Sequence, residues 1–181
     1  MSITQAKPSN LGRPRPGPSR TALLSQPRIG GKAARAATLL TWAGSLLVAG
    51  SGVLHLFLWL NYGYRNLPTI GPLFLMQALV AVVLALWTSA SRHWLLTLAE
   101  AGFALATAGG LLISIFVGLF GWQEASNGPW VWEALVIEFG AAAFLLTAGA
   151  LFARAWLKAR PTRPAQAGQP GAAGAAARPP Y

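Results

Sequence analysis

Four long hydrophobic runs, separated by short links that contain polar residues or proline, dominate the pattern of the chain. The runs cover about residues 36–60, 70–90, 94–120 and 130–153. Each is as long as or longer than the roughly 20 residues that a helix needs to cross about 30 Å of hydrocarbon. The pattern therefore predicts an all-α integral membrane protein with four transmembrane helices.

Proline and tryptophan mark the ends of these runs. Pro72 falls in the first turn of the second run and Pro129 directly precedes the fourth, where a missing N–H costs little. Tryptophan prefers the headgroup zone, in which its ring is shielded and its N–H stays wet. Most tryptophans fall at or near a predicted span end, namely Trp59, Trp87, Trp94, Trp122, Trp130, Trp132 and Trp156.

The links at residues 61–69, 91–93 and 121–129 are short, so sequential helices are expected to lie antiparallel in an up-down four-helix bundle. Residues 1–35 and 157–181 are rich in proline and lack a periodic apolar face. Such segments cannot bury a core and are predicted to be disordered. The predicted organisation is thus one transmembrane domain, residues 36–156, between two tails.

Positive charge is distributed asymmetrically. Of the 14 Lys and Arg residues, only Arg65 lies in the 61–69 or 121–129 links, and the others lie in the terminal segments or the 91–93 link. Cytoplasmic segments retain Lys and Arg during insertion. The chain is therefore expected in a plasma membrane with both termini cytoplasmic. Because the net charge of +10 is concentrated in the tails, anionic lipids are the expected partners and nucleic acid is not.

Composition narrows the possible chemistry. The chain contains no cysteine, which removes disulfides, thiolate metal sites and cysteine nucleophiles. His55 and His93 are the only histidines, and they are predicted near opposite membrane faces. A haem held by two histidines of one chain is therefore excluded by geometry. No cofactor, metal site or catalytic residue is required by the sequence, and an enzyme has little support.

Three polar residues are predicted at similar depths in the outer half of the bilayer. From a rise of about 1.5 Å per residue, His55 and Gln77 lie roughly 8 Å below the outer ends of their spans and Glu138 lies roughly 12 Å deep. Polar groups in hydrocarbon need partners, so these three side chains are expected to converge. They form a structural hydrogen-bonded contact or a site for a proton, a divalent metal or a quinone head group. The remaining alternative is that these residues face lipid or snorkel towards the surface.

Two other acids have different expected roles. Glu100 lies six residues inside the third span, where Arg92, His93 or Arg154 would form an inner-surface ion pair with it, and a transport role is the alternative. Glu133 lies at the outer headgroup level and is the expected partner of Arg65, with a lipid phosphate as the alternative.

Small residues recur at every fourth position of the third span, which predicts a close-packing face or a subunit contact. They are Gly102, Ala106, Gly110, Ser114 and Gly118. We call this set the small-residue stripe.

The segment His-Leu-Phe-Leu-Trp, followed by Gly-Tyr-Arg-Asn-Leu-Pro-Thr-Ile-Gly-Pro-Leu-Phe-Leu, is the least generic part of the sequence. Across about residues 50–80 it resembles small four-span membrane proteins of high-GC Gram-positive bacteria. The four-span layout is also similar to that of DoxX-type proteins. The resemblance implies a membrane bundle and carries no activity with it.

The sequence leaves two functions open. The first is a structural or accessory component of a plasma-membrane assembly, associated with itself or with another membrane protein. The second is a small proton- or quinone-coupled redox or transport subunit that uses His55, Gln77 and Glu138.

Overall fold

The computed structural model describes residues 31–91 and 93–159. Four helices form the bundle: α1 (Gly31–Asn61), α2 (Ile70–Ser91), α3 (Trp94–Phe116) and α4 (Val131–Ala159), with a one-turn helix at Tyr64–Asn66 between α1 and α2. All four are long and apolar enough to cross a membrane. The predicted all-α multi-pass architecture is confirmed. The predicted tails lie outside the described residues, except at 31–35 and 157–159, which continue α1 and α4.

Three helix ends differ from the predicted span limits by four residues or more, since α1 begins at Gly31, before residue 36, and α4 ends at Ala159, beyond residue 153. The third span was expected to reach about residue 120, but α3 ends at Phe116. Gly118 has a φ of +90°, which favours glycine, and its N–H donates to the Ile113 carbonyl at 2.9 Å. The hydrophobic run continues past this turn, so hydropathy alone overestimated the helix by about one turn.

The helices pack around α1 and α4. Helix α1 lies against both α2 and α4, and α3 lies against α4, whereas α2 and α3 touch only sparsely although they are consecutive. The central core is built largely from alanine, which allows backbones to approach closely: Ala81, Ala101, Ala104, Ala141 and Ala142, with Val48 and Leu145. The divergence of α2 from α3 leaves a gap on one side of the bundle.

The distribution of polar and apolar side chains is that of a protein in a lipid solvent. Large hydrophobic residues such as Leu46, Leu79 and Val136 are among the most exposed. Buried positions instead include eight residues with polar groups on the four helices: Thr41, Ser45, Ser51, Thr88, Thr97, Glu100, Ser114 and Glu138. In water this arrangement would expose a large apolar surface, so the outer face of the bundle suits hydrocarbon.

The small-residue stripe is largely not buried within the chain, and Ser114 is its one buried member. Gly102 and Ala106 are exposed, and a Cβ added at Gly102 or Gly110 would meet no atom within 4 Å. The buried face of α3 instead carries Thr97, Glu100, Ala101, Ala104 and Ala108. The expected packing face is therefore rotated around the helix, and the stripe borders the gap between α2 and α3. A role of the stripe at a subunit contact stays a prediction.

Candidate functional site

The gap between α2 and α3 contains a cavity of about 330 Å³. It lies at the end of the bundle that carries the loops 62–69 and 117–130, which we call the loop end. The opposite end, with the α2–α3 junction and both described chain ends, is the junction end. The cavity wall is mostly apolar and includes residues from all four helices and both loops: His55, Tyr64, Phe74, Gln77, Phe103, Thr107, Gly110, Ser114, Trp122, Glu124, Trp130 and Val131, among others.

Aromatic rings form much of this wall. Tyr64 and Phe74 stack with ring centroids 4.4 Å apart at an interplanar angle of 15°. The His55 ring lies 4.9 Å from that of Phe74, and Trp122 meets Tyr64 edge-on at 6.4 Å. Offset stacking and edge contacts of this kind are favourable and hold the rings in fixed orientations. The cavity therefore offers pre-arranged aromatic surfaces.

A hydrogen bond between Tyr64 and Glu124 joins the two loops in the cavity wall. The Tyr64 hydroxyl donates to Glu124 Oε2 at 2.7 Å, and Trp122 Nε1 donates to the same oxygen at 3.3 Å. Gly63, with a φ of +79°, turns the chain so that Tyr64 points inward. Burial, together with the hydrogen bond and negative charge of Glu124, raises the pKa of the Tyr64 hydroxyl. Tyr64 thus remains a neutral hydrogen-bond donor that anchors an acid beside the cavity.

Sequence reasoning missed the Tyr64–Glu124 contact and placed its outer-surface pair elsewhere. Arg65 and Glu133 are both exposed, and the structure records no ion pair between these two described residues. The one-turn helix directs Tyr64 inward and its neighbour Arg65 outward. The sequence feature that could have predicted the contact is that Tyr64 and Glu124 lie in the two links at the same end of the bundle.

Replacing Tyr64 with phenylalanine should reduce stability. The ring contacts would remain, but the half-buried Glu124 would lose its shortest hydrogen bond, at a cost of about 1 kcal/mol. Thermal unfolding in detergent measures the effect. Tyr62→Phe is the matched control, because Tyr62 is an exposed tyrosine of the same loop and its hydroxyl accepts only a longer, exposed hydrogen bond from Trp130 Nε1 at 3.3 Å. Equal midpoints for the two variants would contradict a stabilising role of the Tyr64–Glu124 bond.

The predicted convergence of His55, Gln77 and Glu138 takes a specific form in the structure. His55 and Gln77 line the cavity, whereas Glu138 lies deeper, at 1% exposure. Ser51, which sequence reasoning missed, stands between them: its hydroxyl donates to Glu138 Oε1 at 3.1 Å and lies 3.4 Å from His55 Nδ1. A gap too narrow for a water molecule is lined by Ser51, Gln77 and Glu138. Gln77 therefore borders both the cavity and the surroundings of Glu138.

Hydrogen-bond chemistry fixes the roles in this group, which we call the His55–Ser51–Glu138 chain. His55 Nδ1 lies 2.9 Å from the Ser51 carbonyl, which only accepts, so Nδ1 carries a hydrogen. In the neutral ring Nε2 is then the acceptor. Because the Ser51 hydroxyl donates to Glu138 and faces a donating imidazole nitrogen, Ser51 is not arranged as an activated nucleophile.

Two further predicted polar residues lie at different ends of the bundle: Gln77 is in the cavity wall, and His93 is at the junction end. The Thr107 hydroxyl donates to the Phe103 carbonyl at 2.9 Å and lies 3.2 Å from Gln77 Oε1. The Gln77 carboxamide, which carries both a donor and an acceptor, borders the cavity. His93 precedes α3 at the junction end, where its side chain accepts from the Leu95 N–H. Within residues 31–91 and 93–159, no three or more His, Cys, Asp or Glu side chains are grouped so as to hold a metal ion.

Glu100 does not form the expected surface ion pair with Arg154. Its side chain is 0% exposed and accepts a hydrogen bond from Ser45 of α1 at 2.8 Å, whereas Arg154 is exposed. Arg92, the other proposed arginine partner, lies outside the described residues. Glu100 is buried because the rotation of α3 places it on the same inward face as Thr97 and Ala104.

Comparison of the chain with protein-family models, with curated proteins and with solved structures gave no match.

Proposed function

We propose that this multi-pass membrane protein binds a hydrophobic molecule with an uncharged, planar head group of the quinone class in the cavity between α2 and α3. The observation that carries the proposal is the cavity itself, which combines aromatic walls with a few hydrogen-bonding side chains. Small-molecule sites are typically apolar clefts of about 300–1,000 Å³ with a few placed polar groups. A volume of about 330 Å³ suits one ring system and the first part of a tail.

The aromatic wall favours a planar head group. Phe74, Phe103 and Trp122 all border the cavity. Aromatic faces gain energy from offset stacking with another flat π-system, in addition to the burial of apolar area. An ordinary lipid tail would gain the burial but not the stacking.

The charge of the cavity wall favours a neutral ligand. Glu124 is part of the wall, and none of the described wall residues is Lys or Arg. A phosphate or carboxylate head group would therefore face a fixed acid without a cation to pair with it. Binding of anionic lipid inside the cavity is disfavoured for this reason.

The polar wall residues suit both redox forms of the ligand, the oxidised quinone and the reduced quinol. The His55 Nε2 acceptor suits a quinol hydroxyl, and the Gln77 carboxamide, whose NH2 group donates, suits a quinone carbonyl. The ligand would enter sideways from the bilayer through the gap between α2 and α3. Its tail would lie along the exposed Gly102 and Ala106, where the small-residue stripe leaves room.

Within a cell, we place this binding role in an accessory component of a plasma-membrane assembly, with both termini cytoplasmic and the loop end outside. The distribution of Lys and Arg supports this orientation. The His55–Ser51–Glu138 chain favours a second candidate, a proton-coupled redox or transport subunit, because it connects a buried carboxyl group to the cavity wall.

Intrinsic fluorescence tests the binding proposal, because Trp122 and Trp130 border the cavity. Titration of the purified protein with decylubiquinone should give saturable quenching, and palmitate, with its anionic head group, should not compete. Trp122→Phe should remove a large part of the saturable component, whereas Trp87→Phe, at an exposed position outside the wall, should retain it. Quenching that rises linearly without saturation would refute the proposal.

A further inference from the structure

A second polar group lies in the junction half of the bundle, apart from the cavity. It consists of Glu100 on α3, Ser45 on α1 and Thr88 on α2, which we call the Glu100 cluster. The three side chains are 0%, 2% and 0% exposed, respectively. The Ser45 hydroxyl donates to Glu100 Oε2 at 2.8 Å. Three helices thus bring oxygen atoms to one buried point.

Two oxygens of this cluster have unused bonding capacity. The Thr88 hydroxyl interacts with the Glu100 carboxyl group, yet neither Thr88 Oγ1 nor Glu100 Oε1 has a partner in full hydrogen-bond geometry among the described residues. Buried polar atoms normally have partners, and each exception calls for an explanation. Among the described residues there are three such exceptions: these two belong to the Glu100 cluster, and the third, Glu138 Oε2, lies towards the loop end. The two in the Glu100 cluster lie on neighbouring side chains and call for a common explanation.

The charge of Glu100 also lacks a counterion within the cluster. An ionised carboxylate within the bilayer is costly unless a cation or water compensates it. All described Lys and Arg side chains are exposed, and the recorded partners of Glu100 are hydroxyl groups, which do not cancel its charge. The other titratable groups on the helices packed against it are His55, Glu133 and Glu138, towards the loop end, and Lys32, Arg35, Arg154 and Lys158, at exposed positions.

We propose that Glu100, Ser45 and Thr88 form a binding site for one monovalent cation, either a proton or a sodium ion. Carboxylate and hydroxyl oxygens are the ligands that hard cations prefer. Either ion neutralises the buried carboxylate. Either one also provides the missing interaction for Glu100 Oε1: a proton makes it a donor towards Thr88, and a sodium ion is shared by both oxygens.

The site is separate from the proposed ligand cavity. Ser45 and Ser51 are six residues apart on α1, which corresponds to about 9 Å along the helix. Val48, a core residue at 2% exposure, lies between them. Towards the junction end, buried Thr41 and Thr97 continue the polar surface, with hydroxyls that donate to the Ala37 and His93 carbonyls, respectively. The cation would therefore exchange from the junction end.

Dicyclohexylcarbodiimide tests this proposal in the intact protein. The reagent adds to a protonated carboxyl group and rearranges to a stable N-acylurea, so peptide mapping by mass spectrometry shows which glutamate has reacted. Labelling of Glu100 should decrease as the pH is raised. If sodium is the natural ion, sodium chloride should also protect Glu100 at constant pH, and choline chloride at equal ionic strength should not. If the site takes only a proton, the two salts should act alike.

Thr88→Val serves as the decisive variant, because it removes the hydroxyl while preserving the side-chain shape. It should shift the pH dependence or the sodium dependence of Glu100 labelling severalfold and leave the melting temperature near that of the unmodified protein. Labelling of Glu138 in the same sample is the internal reference. The proposal is overturned if Glu100 never reacts, if its labelling is independent of both pH and sodium, or if Thr88→Val changes nothing.

Discussion

Replacing Gly52 with leucine should destabilise the bundle by about 1–3 kcal/mol or more. A Cβ at this position would lie 2.8 Å from the Ala81 Cβ and 3.0 Å from the Ala78 carbonyl oxygen. Because Ala78 O belongs to the backbone of α2, the added side chain cannot be accommodated by a rotamer change. Helices α1 and α2 would have to separate, which would open the core around Val48 and Ala81.

Gly50 provides the matched control for this substitution. It lies two residues earlier in α1, is exposed, and a Cβ there would meet no atom within 4 Å. Gly50→Leu should therefore be neutral or slightly stabilising, since leucine has the higher helix propensity. Thermal unfolding of both variants in the same detergent measures the difference. Similar midpoints would show that α1 and α2 do not approach as closely as the structure describes.

The spans could be predicted from the sequence because bilayer thickness constrains length and hydropathy together. Asn61, Ile70, Ser91 and Trp94 all lie within one residue of the predicted span limits. The end of α3 could not be obtained in this way. Residues 117–120 are as hydrophobic as the helix before them, and only the left-handed turn at Gly118 ends it.

The candidate site was partly predictable for a related reason. Helical rise gives depth, so the similar levels of His55, Gln77 and Glu138 could be estimated from residue numbers. Rotation about the helix axis and the paths of loops do not follow from rise. Ser51 looked unremarkable in a run of small residues, and the Tyr64–Glu124 contact depends on two loop conformations.

Glu100 and the small-residue stripe illustrate the same limit. Glu100 and most of the stripe lie on α3, and their surroundings differ from the prediction: Glu100 is buried, whereas Gly102 and Ala106 of the stripe are exposed and Ser114 is its one buried member. A rotation of about 100° per residue separates adjacent positions, so a helix with small residues on several faces has no unique packing face in its sequence. The packing of α3 against α4 selects that face.

Gly110→Phe should abolish ligand binding while preserving the fold. Gly110 is part of the cavity wall, and a Cβ there meets no atom within 4 Å, so the new ring would extend into the cavity without a backbone clash. A head group that depends on the 330 Å³ space would then be excluded. We expect at least about a tenfold loss of affinity, or about 1.4 kcal/mol.

Gly109→Phe controls for the general effect of replacing a glycine of α3 with phenylalanine. Gly109 is adjacent, has equally open space around its Cβ position, and is not part of the cavity wall. Both variants exchange the same residue types at neighbouring positions of one helix, so changes in helix propensity should be similar. Only the substitution at Gly110 should affect binding.

Saturable decylubiquinone binding to the purified protein, measured in parallel for the unmodified chain, Gly110→Phe and Gly109→Phe, tests the central claim most directly. The cavity account predicts binding by the unmodified chain and by Gly109→Phe, and a loss of at least about tenfold for Gly110→Phe at an unchanged melting temperature. Equal affinities for the two variants, or no saturable binding by the unmodified chain, would contradict it.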